Sequence, residues 1–152
     1  MKSSLVSFIL GLLTLIIGAA TEEMAPKFLS VGFPVLLAAT EYFAGRRTYL
    51  IALAFAIAAG GFEDALTELP FLTSVSFFTL LTVFTRWAKL PYPMTLLMYP
   101  GYQLWLTLWS ADSHGEIFGR FLMAMPIGLI TSLVVFAVLS RVEKRIGVDE
   151  QE

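Results

Sequence analysis

The sequence predicts an all-α polytopic membrane protein: a bundle of six transmembrane helices with the N-terminus and the C-terminus in the cytoplasm. Three observations predict this class. Of the 152 residues, 57% are hydrophobic and only 14% are charged, and the mean hydropathy is +0.78, more apolar surface than a soluble globule of this size could bury. Six apolar segments approach the roughly 20 residues that a spanning helix needs. Basic residues collect at alternate segment boundaries.

The first three segments each end at a charged cluster. They cover residues 4–20, 28–45 and 48–62. The run TEE follows the first segment, RR the second and ED the third. Charged side chains are costly in the hydrocarbon core, so these clusters mark its boundaries. The stretch 21–27 is therefore predicted to be a short loop between the first two helices.

The last three segments cover residues 71–87, 92–109 and 117–140. Arg86 and Lys89 close the fourth segment, a polar loop follows the fifth, and the basic run SRVEKR ends the sixth. Prolines within the fifth and sixth segments are expected to kink or break those helices.

The charge distribution assigns the two sides of the membrane. With a cytoplasmic N-terminus, eight of the ten basic residues fall on the inner side and only Lys27 and Arg120 on the outer side, as the positive-inside rule requires. One transmembrane domain then covers residues 1–147, and a short disordered tail covers 148–152. Alternatively, the basic start, the apolar run and the triplet GAA form a cleaved signal peptide, which leaves five spans.

The third segment carries a stripe of small residues that ends in an acid. Ala52, Ala56, Gly60 and Asp64 recur every four residues and share one helix face. Small side chains allow neighbouring backbones to approach closely, which is how membrane helices associate. We therefore expect the third helix to be the central helix of the bundle.

Glu63 and Asp64 end that helix at or just below the outer membrane boundary, about 25 Å above Arg47 at 1.5 Å per residue. Adjacent residues point about 100° apart, so only Asp64 faces the bundle along the stripe. Three roles stay open for the pair. It can mark a hydrated helix end, Asp64 can accept hydrogen bonds from a neighbouring helix or cap the following turn, or the pair can transfer protons or ions.

Glu41 lies within the second segment, about 7 Å of helix rise from Arg46. We expect its side chain to extend toward the Arg46–Arg47 pair at the cytoplasmic interface. The alternative is a buried functional carboxylate.

Two further polar features lie near the predicted outer face. Glu116 and Arg120 are spaced four residues apart, which predicts a local ion pair at the start of the sixth helix. Alternatively, Arg120 pairs with Asp64 or Glu63. His114 lies in the polar loop between the last two helices, where a solvated position is expected rather than a metal site.

Aromatic side chains on the fifth helix, Tyr102, Trp105 and Trp109, share one face. Packing or an interfacial belt is expected there, and a ligand pocket is the alternative. The sequence contains no cysteine, Walker A loop, GxSxG, HExxH or glycine-rich dinucleotide motif. We therefore expect no enzyme, no catalytic residue, no cofactor and no metal.

Several motif residues resemble the rod-shape-determining protein MreD family. Pro34 matches the proline that opens the second span of that family. Gly60, Gly61 and Asp64 in AAGGFEDALTELP match its glycine-to-aspartate motif, and Pro70 matches the following turn. The basic end SRVEKR is also similar. The chain departs from the family where an acid commonly follows the proline, since VLL follows it here.

The resemblance implies a non-enzymatic, multi-pass scaffold of the bacterial inner membrane. Such a protein belongs to the elongation machinery, or elongasome, that sets cell shape. Its expected partners, besides the lipid bilayer, are an MreC-like bitopic membrane protein, an MreB-like filament and the wall synthases of side-wall peptidoglycan synthesis. No nucleic acid is expected.

Two other functions compete with this one. The chain can be the substrate-binding S-component of an energy-coupling-factor vitamin transporter, which is also a small six-helix membrane protein. Its first helix lacks the alanine-x-x-x-alanine motif of that class, because Gly11 and Gly18 are seven residues apart. An ion or proton transporter would need a path of buried ionisable groups, and the candidates are Glu41, Glu63, Asp64 and Arg120.

Overall fold

The structure is a computed structural model that describes residues 2–29, 34–67, 70, 72–89, 95–109 and 117–146. Six helices account for nearly all of these residues. They are α1 (Lys2–Leu29), α2 (Val35–Arg46), α3 (Tyr49–Thr67), α4 (Thr73–Ala88), α5 (Thr95–Trp109) and α6 (Ile117–Ile146). The predicted all-α class is therefore confirmed. The predicted tail at 148–152 lies outside the described residues.

Three stretches of these helices are long and apolar enough to cross a membrane: Leu5–Met24, Tyr49–Thr67 and Met125–Ile146. Their large apolar side chains are widely exposed on the outside of the bundle, which fits a lipid environment. The finer arrangement, six spans with both termini in the cytoplasm, stays a prediction.

Helix α1 is longer than the sequence suggested. Its 28 residues rise about 42 Å, and the predicted loop at 21–27 is helical, so that prediction is wrong. The polar side chains at this end have partners that keep them in the helix. The Thr21 hydroxyl donates to the carbonyl of Ile17 at 2.7 Å, and Glu22 accepts a bond from α2.

Helix α2, rather than α3, is the central helix. Nine of its twelve residues are buried, against six of nineteen in α3, and α2 contacts every other helix. The prediction that α3 is central is therefore wrong. Helix α2 also begins at Val35 instead of residue 28, immediately after Pro34. Because nearly all of its side chains are apolar or small, its sequence does not indicate which face of the helix is buried.

The small-residue stripe of α3 packs where the sequence predicts. Ala52, Ala56, Gly60 and Asp64 are all buried, and the most extensive helix pair is α3 with α4. A Cβ atom on Gly60 would lie 2.5 Å from Cα of Val75, whereas one on Gly61 would meet nothing within 4 Å. Only Gly60 is therefore required for the close approach of α4.

Helices α5 and α6 pack on each other. A Cβ atom on Gly128 would lie 2.6 Å from Cβ of Tyr99, so this glycine also permits a close approach. Pro100 and Pro126 lie inside α5 and α6, which both continue through them. The prolines therefore do not break these helices.

Candidate functional site

Asp64 caps the start of α4. One of its carboxylate oxygens, Oδ1, accepts a hydrogen bond of 2.6 Å from the backbone N–H of Ser74, and Asp64 is only 3% exposed. Leu72, at the N-cap position of α4, makes no side-chain capping bond. An external carboxylate therefore satisfies a free N–H group and also interacts favourably with the positive end of the helix. Of the three roles left open above, this geometry matches the capping of the following helix.

Glu22 caps the start of α2 in the same way. Its Oε1 atom accepts a hydrogen bond of 2.7 Å from the backbone N–H of Leu36, and the N-cap residue Pro34 has no side-chain acceptor to offer. Sequence reasoning missed this role because it placed Glu22 in a loop. The available signal was a helix opening on proline without a Ser, Thr, Asp or Asn cap.

Glu63, beside Asp64, joins the carboxylates of Glu22 and Asp64 in a single layer, which we call the carboxylate layer. The carboxyl groups of Glu22 and Glu63 are close enough to interact electrostatically. The Tyr102 hydroxyl lies 2.6 Å from Oγ of Ser74 and donates to Glu63 Oε1 at 3.4 Å. The layer therefore connects α1, α3, α4 and α5.

The aromatic face of α5 is packed rather than open. Tyr102 is 2% exposed, and its ring centroid lies 5.1 Å from that of Phe77 and 5.5 Å from that of Phe78. The Trp105 indole N–H donates to the carbonyl of Thr73 at 2.9 Å. These contacts match the packing alternative rather than the ligand pocket. The side chain of Trp109 lies outside the described residues.

A second polar cluster, the clasp, joins the ends of α2 and α6. The Glu143 carboxylate accepts a hydrogen bond of 2.5 Å from the Tyr42 hydroxyl and a second from the Arg47 guanidinium. Arg46 lies 4.0 Å from the same carboxylate. Both Arg47 and Glu143 are buried, so loss of either side chain would leave the other as a buried charge without compensation.

Sequence reasoning missed the clasp, because it took the run SRVEKR only as a basic end. The signal available was a single acid among the basic residues there. On a helix, Glu143 points about 160° away from Arg141 and Arg145, at 100° per residue. The structure turns Glu143 inward and leaves Arg141 and Arg145 exposed.

Glu41 does not reach the arginine pair. It is 7% exposed, and neither of its carboxylate oxygens has a hydrogen-bond partner among the described residues. The prediction that its side chain extends to Arg46 and Arg47 is wrong, since both arginines face Glu143. Glu41 lies within the bundle because α2 is the central helix and residues 36–44 are all buried.

The remaining predicted residues fall into two groups. The carbonyl of Pro70 accepts bonds from the N–H and the hydroxyl of Thr73, at 3.1 and 2.8 Å, and so forms the turn before α4. Arg120 lies in α6, but its side chain is outside the described residues. Glu116 and His114 lie wholly outside them. The proposed partners of Arg120 therefore stay predictions.

An apolar groove opens between α1 and α3. Its volume is about 390 Å³ and its sides include Phe8, Leu12 and Leu50. Its lining includes two pairs of small residues spaced by four, Ser7 with Gly11 and Ala54 with Ala58. We call it the α1–α3 groove. Among the described residues, no titratable side chain lines it.

Within the described part of the chain, no group of three or more His, Cys, Asp or Glu side chains is arranged to hold a metal ion. No protein-family model matches this sequence, and no curated protein or solved structure matches it either. The resemblance to the MreD family therefore stays a prediction.

Proposed function

We propose that this protein is a non-enzymatic scaffold of the bacterial inner membrane, with six spans and both termini in the cytoplasm. Its task is to dock partner proteins of the elongation machinery: an MreC-like bitopic protein, an MreB-like filament and the wall synthases. One observation carries the proposal. Of the four buried charged side chains among the described residues, Arg47, Asp64 and Glu143 bind other elements of the bundle, while the exposed large side chains of α1, α3 and α6 are mostly apolar.

The carboxylates show how the polar groups are used. Glu22 binds α2, Asp64 binds α4, and Glu143 binds α2 from the other end of the bundle. A catalytic site needs reactive groups converging on a cavity that a substrate can enter. The α1–α3 groove is apolar instead, which favours recognition of an apolar partner over chemistry.

The α1–α3 groove is the best candidate for docking a single-span partner. Its lining repeats the small-x-x-x-small spacing on both helices, and this spacing lets a third helix approach closely. A Cβ atom on Gly11 would lie 3.6 Å from Phe55, so α1 and α3 already approach closely at this residue. The expected occupant is the transmembrane helix of the MreC-like protein.

The proposed scaffold also needs a face that binds cytoplasmic partners. The clasp end of the bundle supports such a face. Helices α2 and α4 both begin at the carboxylate layer and so both end near the clasp. Five basic side chains are exposed there: Arg86, Lys89, Arg141, Lys144 and Arg145. This concentration of cations supports a cytoplasmic position for this end and an acidic surface on the partner.

The proposal is tested by purifying the protein in gentle detergent from its native host and identifying the proteins that accompany it by mass spectrometry. A tryptophan at Ala54 would fill the groove, whereas a tryptophan at the exposed Leu133 of α6 would face lipid. We expect Ala54→Trp to lose at least tenfold of a single-span partner and Leu133→Trp to retain it, with equal melting temperatures.

Recovery of a single-span periplasmic coiled-coil protein with wall-synthesis enzymes would support the scaffold. Recovery of paired ATPases with a membrane coupling subunit would contradict it and favour the vitamin-transporter component. Equal recovery of the partner by both variants would remove the α1–α3 groove as the docking surface.

A further inference from the structure

Glu41 lies between the two polar clusters that hold the bundle together. Along α2 it is about 7 to 8 Å from Leu36, whose N–H binds Glu22, and about 9 Å from Arg47 in the clasp. Residues 36–44 around it are buried without interruption. The carboxyl group is therefore enclosed in the middle of the bundle, away from both ends of α2.

Glu143 provides a matched comparison within the same molecule. The two glutamates are buried to the same degree, 7% exposed for Glu41 and 4% for Glu143. Glu143 is bound by a tyrosine hydroxyl and a guanidinium. Glu41 has a hydrogen-bond partner on neither oxygen among the described residues. The two carboxyl groups are thus similarly buried, but only that of Glu143 is stabilised by hydrogen bonds and an opposite charge.

The surrounding helices place no described cation at the level of Glu41. Arg86 lies in the last turn of α4, and Lys144 and Arg145 lie in the last turn of α6, while Arg141 is exposed. The side chain of Arg120, near the start of α6, lies outside the described residues. Arg46 and Arg47 of α2 itself face Glu143. On the carboxylate-layer side, the described carboxyl groups are those of Glu22, Glu63 and Asp64, which carry the same charge as Glu41 when ionised.

An ionised carboxylate with no partner in a membrane interior is among the most costly arrangements in a protein. The cost is removed when one oxygen binds a proton and the group becomes a neutral acid. We propose that Glu41 is a proton-binding site in the centre of the bundle, and that release of this proton requires α2 to separate from its neighbours and admit water. This role goes beyond the docking of partners, which uses the outer faces of α1 and α3.

The first test is modification by a hydrophobic carbodiimide, dicyclohexylcarbodiimide, on the full-length protein in lipid bilayers. A neutral carboxylic acid gives its proton to one reagent nitrogen, its oxygen adds to the central carbon, and an acyl shift yields a stable N-acylurea that retains the whole reagent. We expect peptide mass mapping to find at least ten times more adduct on Glu41 than on Glu143. Glu41→Gln should remove this adduct.

The second test does not depend on access of the reagent. An infrared difference spectrum of wild type minus Glu41→Gln should contain the carbonyl band of one neutral carboxylic acid. Glu143→Gln should instead remove the bands of a carboxylate. A neutral-acid band assigned to Glu41 supports the proposal whether or not the reagent reaches it. A carboxylate band lost in Glu41→Gln overturns it, even if an adduct forms.

Discussion

At the scale of single residues, neighbouring side chains in the sequence have unequal roles. Asp64 is buried and caps α4, whereas Glu63 is half-buried and accepts one long hydrogen bond. Gly60 supports a backbone contact, whereas Gly61 faces open space. Helical periodicity predicts which member of each pair faces the bundle, because successive residues are rotated by about 100°. It could not predict that Ser74 would be the group that Asp64 binds.

Gly60→Ala is expected to destabilise the bundle, and Gly61→Ala is its matched control. The new methyl group at Gly60 would fall 2.5 Å from the α4 backbone at Val75, so the two helices must separate. Overpacking of this kind costs about 1 to 3 kcal/mol, since a backbone cannot rotate away as a side chain can. At Gly61 the methyl group has space and improves helix propensity.

The measurement is the melting temperature of each variant in the same detergent. A lower value for Gly60→Ala with an unchanged or higher value for Gly61→Ala is the expected pattern. If both variants melt with wild type, α3 and α4 are not in close contact at this position.

At the scale of helices, the structure departs most from the sequence where contacts join distant parts of the chain. The Tyr42–Glu143 hydrogen bond connects residues 101 positions apart, and the Arg47–Glu143 pair connects residues 96 positions apart. Periodicity reports on one helix at a time, so it identified the face of α3 but not the partner of Glu143. Most side chains of helix α2 are apolar or small, so its sequence did not indicate which face is buried.

The clasp should behave as a unit of mutually dependent charges. Removal of one partner, in Arg47→Met or Glu143→Met, leaves a buried charge without compensation and should cost about 3 to 5 kcal/mol. Replacement of both partners leaves no orphan charge and should cost less than the sum of the single changes.

A double-mutant cycle measures this coupling, with the free energy of unfolding taken from titration with a denaturing detergent. Strictly additive effects would show that Arg47 and Glu143 do not stabilise each other. Lys144→Met, at an exposed neighbouring position, serves as the control and should be nearly neutral.

At the scale of the whole molecule, the sequence predicts the lipid environment better than it predicts how the helices are arranged within the bundle. The lipid environment follows from composition, and the exposed apolar side chains of α1, α3 and α6 agree with it. The extension of α1 to Leu29 was missed because a polar run resembles a loop when its partner on α2 is unknown. The central position of α2 was missed because burial is a property of the assembled bundle.

The proposed orientation predicts which positions label from the cytoplasm. The chain contains no cysteine, so single cysteines introduced at exposed positions can be modified without background. Lys89→Cys and Arg145→Cys should both react with a membrane-impermeant maleimide only in inside-out vesicles, whereas Glu23→Cys should react in right-side-out vesicles. Reaction of Lys89→Cys and Arg145→Cys from opposite sides would contradict the six-span arrangement.

Helices α2 and α4 are each capped by a carboxylate of the preceding helix, and this has a consequence for synthesis of the chain. Glu22 of α1 precedes α2 in the sequence, and Asp64 of α3 precedes α4. Each accepting carboxylate therefore leaves the ribosome before the helix start that needs it, and α1–α2 and α3–α4 are hairpins that carry their own terminal acceptor. Synthesis from the N-terminus thus delivers the bundle in pairs, and each pair can enter the bilayer with its second helix already capped.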